Sequence, residues 1–305
     1  MWPVPTIALI ANPAAGRGRG GRCLPRVREA FQHVGVREVH ITRQAGDEAR
    51  LAERLAGDGA DTIAVLGGDG TWSKVAGALI GCGAECRVAM IAAGTGNDFV
   101  KTARIPARDF TAMARLASDG PDFRVDVARV GDQPFLNVAG FGFDASVIAE
   151  TEKGGSMLRG QALYIVTALR QLFGYQGFDM AVDGEADFSR HLMLAIANGQ
   201  FFGGAFHIAP RASLQDGVLD AIAIRNATPM RRMKIFAAAM RGVHTELPEV
   251  AERQAKTFRL RFPEPPVYQA DGELRRATDT ELEIGVIPGA LRVVALASTN
   301  GVSAP

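Results

Sequence analysis

Nowhere in these 305 residues does an uninterrupted apolar run reach the length that a bilayer-spanning helix requires. The opening MWPVPTIALIAN has neither a basic n-region nor a long apolar stretch, so it does not read as a signal peptide. Cysteine is scarce: Cys23, Cys82 and Cys86 give no even framework, which argues against a disulfide scaffold. Cys82 and Cys86 have no second pair and no nearby His, and make a poor zinc site. Reduced thiols in a cytosolic protein are the expectation. Charge of one sign is lacking too. A net charge of +1 gives no broad pull toward nucleic acid, and any basic surface must be local. The five histidines, His207 among them, show no metal-ligand spacing. No G-x-x-x-x-G-K-[ST], G-x-S-x-G or H-E-x-x-H occurs, so P-loop transfer, elbow-type serine hydrolysis and zinc proteolysis lack their parts.

Apolar residues make up 47% of the chain, ample for burial, and its length makes two domains the default expectation. The first 120 or so residues alternate strand-like (6–11, 36–42, 62–66, 87–92) with helix-like segments (24–34, 47–56, 72–79, near 99, 109–117). That alternation predicts an open parallel sheet with helices on both faces, whose ligands bind outside the carboxyl ends of the strands. Every glycine-rich turn of this half, 12–21, 67–71 and 94–98, falls at such an end. After Phe123 strand-like pieces come in succession: 123–130, 133–139, 178–182, 192–198, 219–224, 257–262, 267–270 and 281–287. Only two helical stretches, 157–172 and 229–241, interrupt them; 263–266 reads as a loop and 298–305 as a frayed tail. The fold class is therefore α/β: a doubly wound parallel-sheet nucleotide domain followed by a β-rich, antiparallel sandwich or barrel-like second domain. The active site is expected in the cleft between the halves.

Residues 66–72, LGGDGTW, carry the strongest local signal. A strand runs into two glycines, an Asp, a third glycine and a Thr before a helix expected to open at Trp72. Backbone N–H groups at such a turn, together with the helix dipole, favour a phosphate. Asp69 beside a phosphate calls for a divalent cation between them, most often Mg²⁺. AAGTGNDF, 92–99, repeats the geometry on another strand, with Asn97 or Asp98 able to cap the next helix. Gly16, Gly18 and Gly21 satisfy G-x-G-x-x-G, but the second strand ends at Arg43 without the acid a ribose needs. A phosphate-facing loop entered at Asn12 is the favoured reading, a flexible arginine-glycine loop its rival.

Asp-Gly-Glu occurs at 183–185 and at 271–273; a hairpin turn explains the first, while the second has an apolar lead, VYQA, and is followed by Arg275 and Arg276. The glycine-rich 197–220 suits close backbone approach, and Asp216 before Gly217 could ligate a hard cation or simply turn the chain. In PMRRMKIFAAAMRG, 229–242, Met230, Met233, Ala237 and Met240 share one helical stripe while Arg231, Lys234 and Arg241 gather on another. That pattern fits either an anionic membrane surface or a core-packed helix with a solvated face.

NPAAG, Thr42 ahead of Gly46-Asp47, GGDGT, AAGTGNDF, NVAGFGFDA, ANGQFFGGAFHIAP, DGVLD and the later DGE together resemble the bacterial diacylglycerol kinase and lipid kinase family, related to sphingosine and ceramide kinases. The likeness runs in order from about Ile7 to Glu273. It implies ATP-dependent phosphorylation of a lipid hydroxyl, with ATP and Mg²⁺ as cofactors. It also implies a C-terminal segment that returns to the first domain, giving expected domains at 1–125 with 286–305, and at 126–285. On that pattern Asn12, Thr42, Gly67, Gly68, Gly70, Thr71, Gly94 and Thr95 would hold ATP, with Asp69 and Asn97 beside them. Asp69, with Asp126 on FRVDV, would organise catalytic Mg²⁺. Glu273, with Asp271, would take the proton from the lipid hydroxyl. Asp216, with main-chain oxygens of Ser213 and Val218, would hold a second, structural Mg²⁺; many relatives carry paired acids where this chain has Gln215-Asp216. The implied setting is cytoplasmic and peripheral to a membrane that presents the lipid, with a homodimer left open. Two rivals are an NAD kinase, whose Asn-Glu pair and glycine-serine-threonine run are missing, and a nucleotide- or lipid-binding protein without catalysis.

Overall fold

β1 (Ile7–Ala11), β3 (Thr62–Gly67) and β4 (Arg87–Ala92) are nearly unbroken runs of buried residues, as strands covered on both faces must be. In the computed structural model, which describes residues 6–106, 109–152, 167 and 170–295, they pair in parallel in the order β4-β3-β1-β2, with β2 (Val39–Ile41) at the edge. Helices α1 (Ala15–Gln32), α2 (Asp47–Gly57) and α3 (Asp69–Gly81) make the crossovers, and α4 (Asp98–Thr102) and α5 (Phe110–Asp119) follow β4. Arg87 closes the end of α5, its guanidinium donating to the carbonyls of Ala117, Ser118 and Gly120 and to Thr62 Oγ1. Near the C-terminus, Arg292 and Val293 pair in parallel with Arg87 and Val88. The first structural unit thus combines residues up to 127 with the stretch from 288.

The second unit, residues 128–287, is antiparallel. At its centre β9 (Ser189–Ala197) lies between β7 (Val138–Gly142) and β12 (Leu219–Arg225). Outward from β7 come β15 (Val267–Ala270) and β16 (Glu273–Arg276), and β13 (Val250–Ala255) flanks β12. β8 (Phe178–Val182), β14 (Thr257–Arg261) and the first part of β17 (Glu281–Val294) continue the pairing, and β5 (Asp122–Val130) forms a hairpin with β6 (Gln133–Phe135). β10 (Phe201–Phe202) and β11 (Phe206–His207) form a separate small hairpin. Alternation along β9 supplies two cores: Leu194 and Ile196 join Phe141, Phe258 and Tyr268, whereas Ala195 and Ala197 join α6 (Phe143–Glu152) and α7 (Pro229–Ala239) through Phe143, Val147 and Ile235. Among the described residues no helix is long and apolar enough to cross a membrane.

The parallel and antiparallel halves agree with the alternation read from the sequence; several details differ. The helix after GGDGT begins at Asp69, not Trp72, placing Asp69 in its first turn. The expected strand 133–139 breaks into β6 and β7, because the N–H groups of Leu136 and Asn137 turn to the Asp271 carboxylate. β17 runs on to Val294, and β13, with its alternating polar sequence, was not anticipated. The arginine-glycine loop is left-handed from Gly16 to Gly18, so α1 is kinked at its start. Of the expected helix 157–172, only 167 and 170–172 are described, and they are helical; the tail 298–305 lies outside the described residues.

Candidate active site

Three turns at the carboxyl ends of β1, β3 and β4 are bound to one another. Asn12, just after β1, donates its backbone N–H to the Leu66 carbonyl (2.9 Å) and its side-chain amide to Thr71 Oγ1 (3.0 Å) and Glu48 Oε1 (3.2 Å). The Gly67 carbonyl accepts from both Ala93 N (2.7 Å) and Gly94 N (3.1 Å). Arg19 Nη1 donates to the Gly94 carbonyl at 2.8 Å, and Asn97 Nδ2 donates to the same oxygen at 3.0 Å. Gly68 and Gly94 are in direct backbone contact: a Cβ on Gly68 would stand 2.8 Å from Gly94 Cα. No side chain larger than hydrogen fits either position without moving the turns apart.

Gly68 is the N-cap of α3 and offers no side chain to its first N–H groups, which leaves the positive end of the dipole for an anion. Asp69, half-buried, accepts the Phe99 N–H on Oδ1 at 3.2 Å. A Cβ on Gly96 would stand 3.4 Å from Asp69 Oδ2. Asn97 is left-handed (φ 50°), and its Oδ1 is buried with no hydrogen-bond partner in the structure. Thr95 is exposed at the tip of its turn, whereas Thr42 is buried, with its N–H on the Ala11 carbonyl. The structure therefore gathers Asn12, Thr42, Gly67 to Thr71, Gly94, Thr95 and Asn97 along the carboxyl ends of β1 to β4.

These residues fit a nucleoside triphosphate and its metal. The uncapped N–H groups at the start of α3 would face a phosphate, and Asp69 in that first turn would supply a hard oxygen ligand. Among the described residues no group of three or more His, Cys, Asp or Glu side chains is assembled for a metal, so an ion here would draw on phosphate and water. Asp126, on β5 and 3% exposed, accepts the Gly289 N–H at 2.8 Å, a bond that ties β5 to the returning chain. The residues expected to hold a structural Mg²⁺ lie together in the loop before β12. Asp216 Oδ1 accepts the Val218 N–H at 3.2 Å, Ser213 Oγ accepts that of Gln215, and Gln215 brings no charge.

In the second unit, Asp271 and Gly272 form a two-residue turn between β15 and β16, with φ of 49° and 84°. Positive φ at both positions is the type I′ geometry that Asp-Gly favours. Asp183 and Gly184 repeat these angles, and Asp183 Oδ1 accepts one N–H, from Arg259. Asp271 accepts three: Asn137 (2.9 Å) and Val138 (3.1 Å) on Oδ1, and Leu136 (2.6 Å) on Oδ2. So engaged, it is a clamp on the chain between β6 and β7. Glu273 opens β16, half-buried, with Arg275 Nη2 3.8 Å from its Oε2.

Two buried polar side chains lie behind this turn. Gln269, fully buried on β15, accepts the Gly272 N–H on Oε1 (2.9 Å) and donates Nε2 to Asp144 Oδ2 (3.2 Å). Asp144 is 1% exposed, and burial pushes its carboxyl up to about 7. The signal for Gln269 was a lone amide in the otherwise apolar lead VYQA. Nearby, a cavity of about 710 Å³ opens among Phe141, Tyr175, Phe178, Phe262, Val267 and Arg276.

Comparison with known proteins bears on the whole length. Residues 6–130 match the diacylglycerol kinase catalytic domain, and residues 137–295 match the YegS C-terminal NAD kinase beta sandwich-like domain. The diacylglycerol kinase of Mycobacterium tuberculosis is 29% identical over 297 residues, covering 94% of each chain. The "Probable lipid kinase YegS-like" of Pseudomonas aeruginosa is 31% identical over 290 residues, 94% of this chain and 93% of its own. A crystal structure of a diacylglycerol kinase from Bacillus anthracis shares the fold with a TM-score of 0.71 at 21% identity, over 97% of this chain and 98% of that one. With both domain types matched in order and a relative above 30% identity along nearly the full length, the chain belongs to the diacylglycerol kinase and YegS-type lipid kinase family of enzymes.

Proposed function

We propose that this lipid kinase transfers the γ-phosphate of ATP to the hydroxyl of a diacylglycerol-like lipid in a Mg²⁺-dependent reaction. The observation that carries the reading is the uncapped N-terminus of α3 at Gly68 with Asp69 in its first turn, which pairs backbone N–H groups for a phosphate with a metal-seeking carboxylate. Bound Mg²⁺ supplies neutralisation of the phosphate charge that develops during transfer. Asn12, Thr71 and the α3 N-terminus orient the triphosphate, and Asp69 holds the ion. Glu273 accepts the proton of the acceptor hydroxyl as its oxygen bonds to the γ-phosphorus and the bond to the β,γ-bridging oxygen breaks, ADP leaving with that oxygen; an alcohol, a weak nucleophile, requires such a base. Asp271 holds the turn that carries Glu273. The aromatic-lined cavity near β7 and β15 suits an acyl chain.

The test is incubation with terminally labelled ATP and a panel of lipids, with NAD as a water-soluble control acceptor. The reading expects label in an organic-extractable phospholipid and none in NAD. Label in NAD, or ATP binding without transfer to any lipid, contradicts it.

A further inference from the structure

Large exposed apolar side chains are few among the described residues: Phe173, Phe188, Met230, Met233, Met240 and Val243. Four of these six lie on α7 or its exit, with Met230 65% and Met240 53% exposed. Phe173, 62% exposed, stands next to α7, because the neighbouring Leu172 carbonyl accepts Arg232 Nη1 at 2.6 Å. The concentration is local.

Pro229 at the first position sets the start of α7, and Arg232, Ile235, Ala238 and Ala239 form its inner face. At 100° per residue the exposed positions Met230, Met233, Lys234, Ala237, Met240 and Arg241 fall within an arc of about 120°. Met233 and Met240 lie toward one edge of that arc and Lys234 at the other, with Met230 and Arg241 between them. Residues 229–242 hold four basic side chains and no acid. Two are used internally: Arg231 pairs with Glu249, and Arg232 is buried on the carbonyls of Ala227 and Leu172. Lys234 and Arg241 remain on the outer arc.

We propose that α7 is the face through which this kinase docks on an anionic phospholipid membrane, its methionines entering the interface while Lys234 and Arg241 meet the headgroups. Methionine is flexible enough to settle among acyl chains, and the long stems of Lys and Arg let their charges rise to the phosphates. A second copy of the chain is disfavoured as occupant. An isologous contact through this face would bring the same cations together with no acid of the helix to meet them. The inference rests on the acceptor being a membrane lipid, as proposed above.

The test is co-sedimentation of the full chain with phosphatidylcholine vesicles, with and without phosphatidylglycerol, alongside transfer to a short-chain lipid dispersed as monomers. Wild type should bind vesicles containing phosphatidylglycerol and lose binding at high salt. The triple variant M230S/M233S/M240S and the double variant K234E/R241E should each weaken binding about tenfold or more. Their melting temperatures and transfer to the dispersed lipid should be unchanged. Indifference of wild type to phosphatidylglycerol, or variants that bind like wild type, overturns the proposal. A wild-type dimer that these substitutions dissociate, without vesicle binding, overturns it in favour of self-association. Vesicle binding that the variants abolish, together with no phosphate transfer to any lipid, supports the docking face while striking the acceptor assignment.

Discussion

Gln269 and Asp144 are joined by an Nε2–Oδ2 hydrogen bond of 3.2 Å, with Gln269 fully enclosed and Asp144 1% exposed. The other end of the Gln269 amide holds the Gly272 N–H, so a buried carboxyl is linked through one side chain to the turn that presents Glu273. A buried polar chain of this kind is costly to interrupt, because each orphaned member keeps its desolvation penalty.

Gln269→Leu is expected to cost about 2 kcal/mol of stability through the loss of its side-chain hydrogen bonds to Asp144, Gly272 and the Val138 carbonyl. Loosening of the turn should also lower kcat about tenfold, with KM for ATP little changed. Urea unfolding and steady-state kinetics on the same preparation check both.

Asp144 sets a pH dependence with a definite sign. Its carboxyl is raised from 3.8 to about 7 in the fold, so the folded chain binds its proton more tightly than the unfolded chain. The stability this contributes is full below 3.8 and is lost as pH rises toward 7, a span worth roughly 4 kcal/mol. His191, His207 and His244 act oppositely: burial lowers each from 6.5, so their contribution is full above 6.5 and declines as pH falls below it. Asp144→Asn removes only the first component. Relative to wild type it should gain stability at about pH 8 and gain little at about pH 4, as read from urea midpoints.

Asp271→Ala strands the N–H groups of Leu136, Asn137 and Val138. A loss of about 3 kcal/mol is expected, with activity falling because the turn shifts. Asp271→Asn, which keeps an acceptor, should recover part of both. Equal activity in Asp271→Ala and wild type at a temperature where both are folded would contradict the clamp.

Gly68→Ala places a methyl 2.8 Å from Gly94 Cα. Separation of the two turns should weaken ATP binding at least about tenfold and cost about 1–3 kcal/mol. Calorimetric titration with ATP and Mg²⁺ measures the first, thermal unfolding the second.

The sequence made the turns legible because glycines and a lone acid after an apolar run have few other uses. Thus GGDGT and AAGTGND could be placed at strand ends, and the parallel and antiparallel halves could be told apart by their periodicity. It concealed which groups the turns would meet. The mutual contact of Gly68 and Gly94 joins residues 26 positions apart, and nothing local signals it. Asp271 and Asp183 carry the same tripeptide and the same backbone angles, yet one holds three N–H groups and the other a single one. That difference lies in the partner strand. β13 escaped notice because VAERQA exposes half its residues and lacks the apolar density of a buried strand.

The most direct measurement is phosphate transfer from ATP to lipid by wild type, Asp69→Asn and Glu273→Gln, with nucleotide affinity determined for each. The account predicts that Glu273→Gln lowers kcat by about 10²- to 10⁴-fold while binding ATP normally, and that Asp69→Asn abolishes transfer and weakens the Mg²⁺ dependence of ATP binding. Wild-type turnover in either folded variant would contradict it.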